Sequence, residues 1–319
     1  MMWGAVLAKE LASRLQGRLT YVILTLMVIV FTGLVLGSFW LVITSVTTNL
    51  PVIGSSVASS TAVSLPGLAG SYRGVFLFFA MALCLMAALS VVAPAVASTA
   101  MSGEREEGTF DLLIATGMRP RSIVFGKLVA AVGFVLLLAL TAVPGFAMAW
   151  MFGGVPIVDV ILTILMLVAA LWLFSAIGLF CSAIGRSSAV AALYAYGLVF
   201  LLGTGSLAAY LIGASLQMEA AVRPLLALNP FISLFSVPDQ ISGQVAQLLP
   251  FPYRPLLDSV GPQEMFGLGA LRYPRWALTL VLYSLLTVLL VGLSSVAIDP
   301  CHPWKERRWV RTLLDPGSD

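Results

Sequence analysis

Residues 128–152 contain no Asp, Glu, Lys, Arg or His. A helix needs about 20 mostly apolar residues to cross a bilayer, and only helices and closed barrels satisfy their own backbone there. Five further runs of this kind occur at 21–43, 74–100, 158–183, 189–215 and 276–298, none with an Asp, Glu, Lys, Arg or His in its interior. Soluble domains carry about a quarter charged residues, whereas this chain of 319 residues carries 10%, with a mean hydropathy of +1.03. The expected fold is therefore an all-α polytopic integral membrane protein. It is a single transmembrane domain over 1–319 with six membrane-spanning helices.

Residues 1–19 read as an amphipathic helix. Trp3, Leu7, Leu11 and Leu15 form one stripe, and Lys9, Arg14 and Arg18 occupy the other side, which suits a helix lying in the headgroup region. In the first span Gly33 and Gly37 form G-x-x-x-G, a spacing that lets helices approach closely. Packing within the chain is the favoured reading, ahead of a dimer contact. Pro94 removes a helical hydrogen bond and is expected to kink the second span. Pro144-Gly145 predicts a bend in the third, 153–156 a tight turn, and Gly185-Arg186-Ser187-Ser188 a short charged loop. Residues 216–275 are rich in proline and form the longest loop. Within it 225–237 is largely apolar around Asn229-Pro230-Phe231 and is expected to lie on or dip into the membrane surface.

Basic residues set the orientation of such a chain. Six spans place both termini and the segments 101–127 and 184–188 on one side. That side holds Lys9, Arg14, Arg18, Arg105, Arg119, Arg121, Lys127, Arg186 and the four bases of the tail at 299–319. The other side holds Arg73, Arg223, Arg254, Arg272 and Arg275, four of them in the long loop. The first side is expected to be cytoplasmic and the membrane a plasma membrane, with bacterial-type inner membrane preferred.

Several function classes lose their basis. Ion-coupled transporters usually carry ionisable groups within the membrane, and these spans show none. No Walker A loop is present: Gly126-Lys127 is followed by Leu128, and position 121 is Arg where a Gly is needed. His302 is the single histidine, so neither a Ser/His/Asp catalytic set nor a three- or four-ligand metal site is expected. Three scattered cysteines form no disulfide framework. No nucleic-acid partner is expected.

Segment 103–127 stands out against this background, with four acids and four bases between two apolar blocks. Glu104, Arg105, Glu106 and Glu107 continue the second span into water, where each exposed charge would contribute about 0–1 kcal/mol to stability. Gly108 permits a change of direction. Thr109 is placed to cap a short helix over 110–116, whose Phe110, Leu113 and Ile114 need cover. The product is a short amphipathic helix tethered to two spans, so that force on it would tilt both.

Glu104-Arg105-Glu106-Glu107-Gly108-Thr109, Leu112-Leu113, Arg121-Ser122-Ile123 and Gly126-Lys127 resemble the signature of type-2 ATP-binding-cassette (ABC) transporter permeases. The family pattern is E-R-E-x-G-T, then L-L, a Thr-Pro or similar turn, a hydroxyl residue and G-K. Thr116-Gly117 departs from it at the turn. The resemblance extends more loosely to the basic start, the six spans, the Gly185–Ser188 turn and Asn229-Pro230-Phe231. It implies that the segment after the second span is a cytoplasmic coupling helix docking on a separate ABC ATPase. Glu104, Arg105, Glu106, Gly108, Thr109, Phe110 and Leu113 would serve that coupling. It further implies a second permease copy, as homodimer or heterodimer. The partner ATPase would use the ATP, no cofactor would be bound directly, and most such systems export. A scaffold recruiting a cytosolic partner without transport, or a secondary transporter, are the alternatives. The residues of the substrate path are not legible.

Overall fold

The structure is a computed structural model. It describes residues 66–110, 120–151, 153–216, 223–235, 265–268 and 271–298, with scattered residues between 22 and 40. The expected interfacial helix at 1–19, the segment 111–119 with Leu113 and Ile114, and the tail lie outside the described residues. So does most of the first span, although its described residues are helical.

Among the described residues, five helical segments are long and apolar enough to cross a membrane: Leu77–Glu106, Pro120–Met151, Ile157–Ile184, Ser188–Gly213 and Trp276–Ile298. The first belongs to a long helix α1 (Pro66–Glu106). The second comprises α2 (Pro120–Ala139) and α3 (Val143–Met151). Next come α4 (Ile157–Ile184), α5 (Ser188–Phe200) and α6 (Ser206–Ser215). A short α7 (Pro230–Phe235) precedes α8 (Arg275–Ile298). Proline opens α1, α2 and α7, in the first turn, where its missing N–H is not needed. The spanning part is all helical, as expected; beside it β1 (Met265–Leu268) and β2 (Leu271–Pro274) form a short antiparallel hairpin just before α8, pairing Phe266 with Tyr273. Aromatic residues favour such a strand ladder.

The core forms where α1 crosses α4, with α2, α5 and α8 around them. Gly178 makes the crossing possible: a Cβ there would lie 2.8 Å from both Ala97 Cβ and the Pro94 carbonyl oxygen. Helix α1 runs on through Pro94. One turn earlier, Tyr196 Oη donates to the Val91 carbonyl at 2.9 Å, the kind of side-chain help that lets a spanning helix keep a proline. Phe78 and Phe146 meet edge to face at 5.3 Å between ring centres.

The third span bends where proline chemistry requires it. Pro144 has no N–H for the carbonyl of Leu140, so Val143 N–H donates there instead and Leu140–Ala142 tightens into a 3-10 turn. Gly153 and Gly154, at φ 81° and 88°, then reverse the chain into α4, a conformation that glycine adopts without penalty.

Three expectations are corrected. The fifth span is not one regular helix, because Leu201–Gly205 forms a π turn between α5 and α6. The third helix starts at Pro120, not Leu128, so Lys127 lies inside it with 4% exposure. Asp159 is also buried, in the first turn of α4, where a carboxylate complements the helix dipole. At Gly33 and Gly37 a Cβ would meet nothing within 4 Å. Packing within the chain therefore finds no neighbour at this motif among the described residues.

Candidate functional site

The charged segment begins as the last turns of α1 and ends in a specific stop. Gly108 has φ 70°. Thr109 N–H reaches back to the Glu104 carbonyl at 2.9 Å and Gly108 N–H to that of Arg105 at 3.3 Å. These crossed bonds around a left-handed glycine make a Schellman cap, which satisfies carbonyls that a helix end leaves open. Thr109 Oγ1 also donates to the Glu104 carbonyl, at 3.3 Å. Its side chain thus closes α1.

The charges do not project freely into water, contrary to expectation. Each of the first three is tied to a different partner. Glu104 Oε1 pairs with Lys127 Nζ at 2.8 Å, with side-chain exposures of 30% and 4%. Lys127 Nζ also donates to the Ala100 carbonyl at 2.6 Å, so the ammonium pins α2 against α1. Arg105 reaches the α4–α5 turn, donating to the carbonyls of Ala183 at 2.7 Å and Gly185 at 3.0 Å. Its guanidinium also lies 4.8 Å from the centre of the Phe110 ring, which is buried, a cation–π distance. Exposed Glu106 accepts from Ser188 N–H at 2.8 Å and Ser188 Oγ at 2.7 Å. A carboxylate at the first residue of α5 suits the helix N-terminus.

Below these charges a serine cluster continues the join. Ser182 Oγ accepts from the N–H groups of Met101 and Ser102, both at 2.9 Å. Ser102 Oγ donates to the Ser98 carbonyl at 2.7 Å and lies 3.3 Å from Ser188 Oγ. The structure thus brings Glu104, Arg105, Glu106, Gly108, Thr109 and Phe110 together in one junction of α1, α2, α4 and α5. Sequence reasoning missed Lys127, Ser182 and Ser188 as its partners. Hydroxyls inside apolar runs were the available signal, because a buried Ser must find a hydrogen bond.

The fold and this junction frame the comparison with known proteins. A family model described as ABC-2 family transporter protein matches residues 4–297. The chain belongs to that family. It is thus a multi-pass membrane protein of the ABC-2 transporter type, a family that generally works with an ABC ATPase. The search of curated proteins finds no match.

A second polar centre of this ABC-2 family protein lies towards the other end of the helices, at the π turn. Asn229 is 4% exposed. Its Nδ2 donates to the Gly203 carbonyl at 2.7 Å and lies 3.2 Å from Ser206 Oγ. Its Oδ1 accepts from the N–H groups of Phe231 and Ile232. One amide therefore satisfies the opened π turn and caps α7. Tyr283 Oη, on α8, donates to the Leu228 carbonyl at 3.2 Å. The stretch expected to lie on or dip into the membrane surface is held against α6 and α8 by these bonds.

Proposed function

We propose that the chain is the membrane-spanning permease subunit of an ABC transporter, moving substrate outward with ATP hydrolysed by a separate ATPase subunit. The observation that carries this reading is the junction at the end of α1. A segment between the second and third spans is bonded to α2, to the α4–α5 turn and to the first residue of α5. An ATPase pressing on the segment after Gly108 would move four helices together.

In this reading Glu107, Gly108 and Thr109, all exposed, face the ATPase, followed by Phe110 and Leu113. Glu104, Arg105 and Glu106 hold the coupling element to the spans. Two permease copies, identical or similar, stand over two ATPases, because a single chain offers one coupling element.

The test is a purified permease–ATPase complex reconstituted in liposomes, compared with Glu106→Ala. Glu106 is exposed, and its removal leaves the Glu104–Lys127 pair in place. The expected result is intact insertion and ATPase binding, with transport and cargo-stimulated ATP hydrolysis both reduced several-fold. Binding and hydrolysis are linked through the same element, so cargo and ATPase should also lose their mutual effect on affinity. Unchanged stimulation and transport in Glu106→Ala, together with no crosslink from Thr109→Cys to the ATPase, would overturn the coupling reading in favour of a scaffold.

A further inference from the structure

A groove of about 680 Å³ runs between α2, α4 and α8, and none of its lining residues belongs to the junction or to the π turn. Phe125 and Leu128 line it on α2, Leu165 and Trp172 on α4, and Leu280 and Val291 on α8. Apart from Ser284 and Thr287 the lining is apolar. It opens sideways: Val281 and Val288 on its rim are 61% and 72% exposed, and Phe125 46%. In a membrane-spanning bundle that side faces acyl chains.

Two observations specify an occupant. The first is length. Leu280 and Val291 are eleven positions apart on one helix, which at about 1.5 Å per residue is about 16 Å. Half of a hydrocarbon core of about 30 Å is about 15 Å, so the groove is about as long as one acyl chain is deep. The second is charge. Arg121 stands one helical turn before Phe125, on the same face of α2. It is exposed and makes no ion pair or hydrogen bond with the described residues. The groove therefore has an exposed cation, unpaired among the described residues, where its apolar lining ends and the charged segment begins.

We propose that this groove is a resident site for an anionic phospholipid, with one acyl chain lying along α8 and the phosphate held by Arg121. Long basic side chains reach the headgroup level in this way, and basic pockets beside spanning helices bind anionic headgroups. The site stands on the α2–α4–α8 face and does not depend on the coupling reading.

Native mass spectrometry of the purified full-length protein tests it, after exchange into equal amounts of phosphatidylglycerol and phosphatidylcholine. Wild type should retain phosphatidylglycerol at least five-fold over phosphatidylcholine under energies that strip other lipids. Arg121→Gln should bring the two lipids to equal retention. Val288→Trp fills the groove from an exposed position and should lower retention of both. Val288→Trp must elute free of aggregate on size exclusion; Arg121→Gln, at the surface, decides the test if it does not. No preference in wild type, or an unchanged preference in Arg121→Gln, overturns the proposal. Loss of dimer in Val288→Trp with lipid retention unchanged also overturns it, and assigns the face to a second copy.

Discussion

Gly108 and Glu104 show how much of the junction depends on single atoms. At φ 70° Gly108 sits where a Cβ is penalised by its own backbone, a cost of about 1–2 kcal/mol for most residues. Space does not add to the cost, since nothing lies within 4 Å. Gly108→Ala should therefore lower unfolding stability by about 1 kcal/mol, with Gly108→Asn closer to wild type, as read by thermal unfolding of the purified protein. Glu104 behaves differently because its partner is buried. Removing one member of a buried pair leaves an uncompensated charge, on the order of 3 kcal/mol, well above the 0–1 kcal/mol of an exposed pair. Glu104→Ala should thus destabilise strongly, and Lys127→Met in the same chain should restore most of the loss. A double-mutant cycle on thermal unfolding measures this. Additive losses would show that the ammonium is not held by the carboxylate.

At the scale of elements, the helices take their ends from chemistry visible in the sequence and their irregularities from contacts that are not. Pro144 announces the 3-10 turn at Leu140–Ala142, and Gly153-Gly154 the reversal into α4. Leu201–Gly205 announces nothing, because two glycines in an apolar run suit a regular helix as well. What fixes the π turn is Asn229, 26 positions away from the Gly203 carbonyl it supplies. Such turns collect at functional positions in helices. Asn229→Ala would leave Gly203 without that donor and α7 without its cap, a loss of about 2 kcal/mol. Asn229→Asp keeps the cap to Phe231 and Ile232 but loses the donor. Asn229→Asp should recover only part of the stability, and faster hydrogen exchange should be confined to α6 and α7. Uniform exchange across the bundle would place Asn229 outside the control of the turn. The junction was half legible for the same reason. Its acids and glycine form a recognisable motif, but Lys127 reads as a loop residue until α2 is seen to start at Pro120 and carry it inward.

For the whole molecule, the arrangement of charge along the bundle yields a topology that can be measured. Arg105 touches the α4–α5 turn and Lys127 touches α1, so the charged segment and Arg186 lie at one end of the helices. The π turn, α7 and the hairpin before α8 lie towards the other, because α5–α6 runs away from that end through one span and α8 returns to it through another. We propose from the sequence order of basic residues that the first end is cytoplasmic. The proposal has a physical basis beyond counting: Arg121 and Arg186 are exposed at that end, and exposed cations there would meet the anionic lipid of a cytoplasmic leaflet. Glu107 is exposed at the same end, and its side chain accepts no hydrogen bond from the described residues, so Glu107→Cys reports the end without disturbing the junction. Gln247→Cys samples the long loop. In intact cells an impermeant maleimide should label Gln247→Cys and leave Glu107→Cys unmodified until the membrane is opened. Labelling of Glu107→Cys in intact cells, with Gln247→Cys protected, would invert the molecule. It would also put the junction out of reach of any cytosolic ATPase.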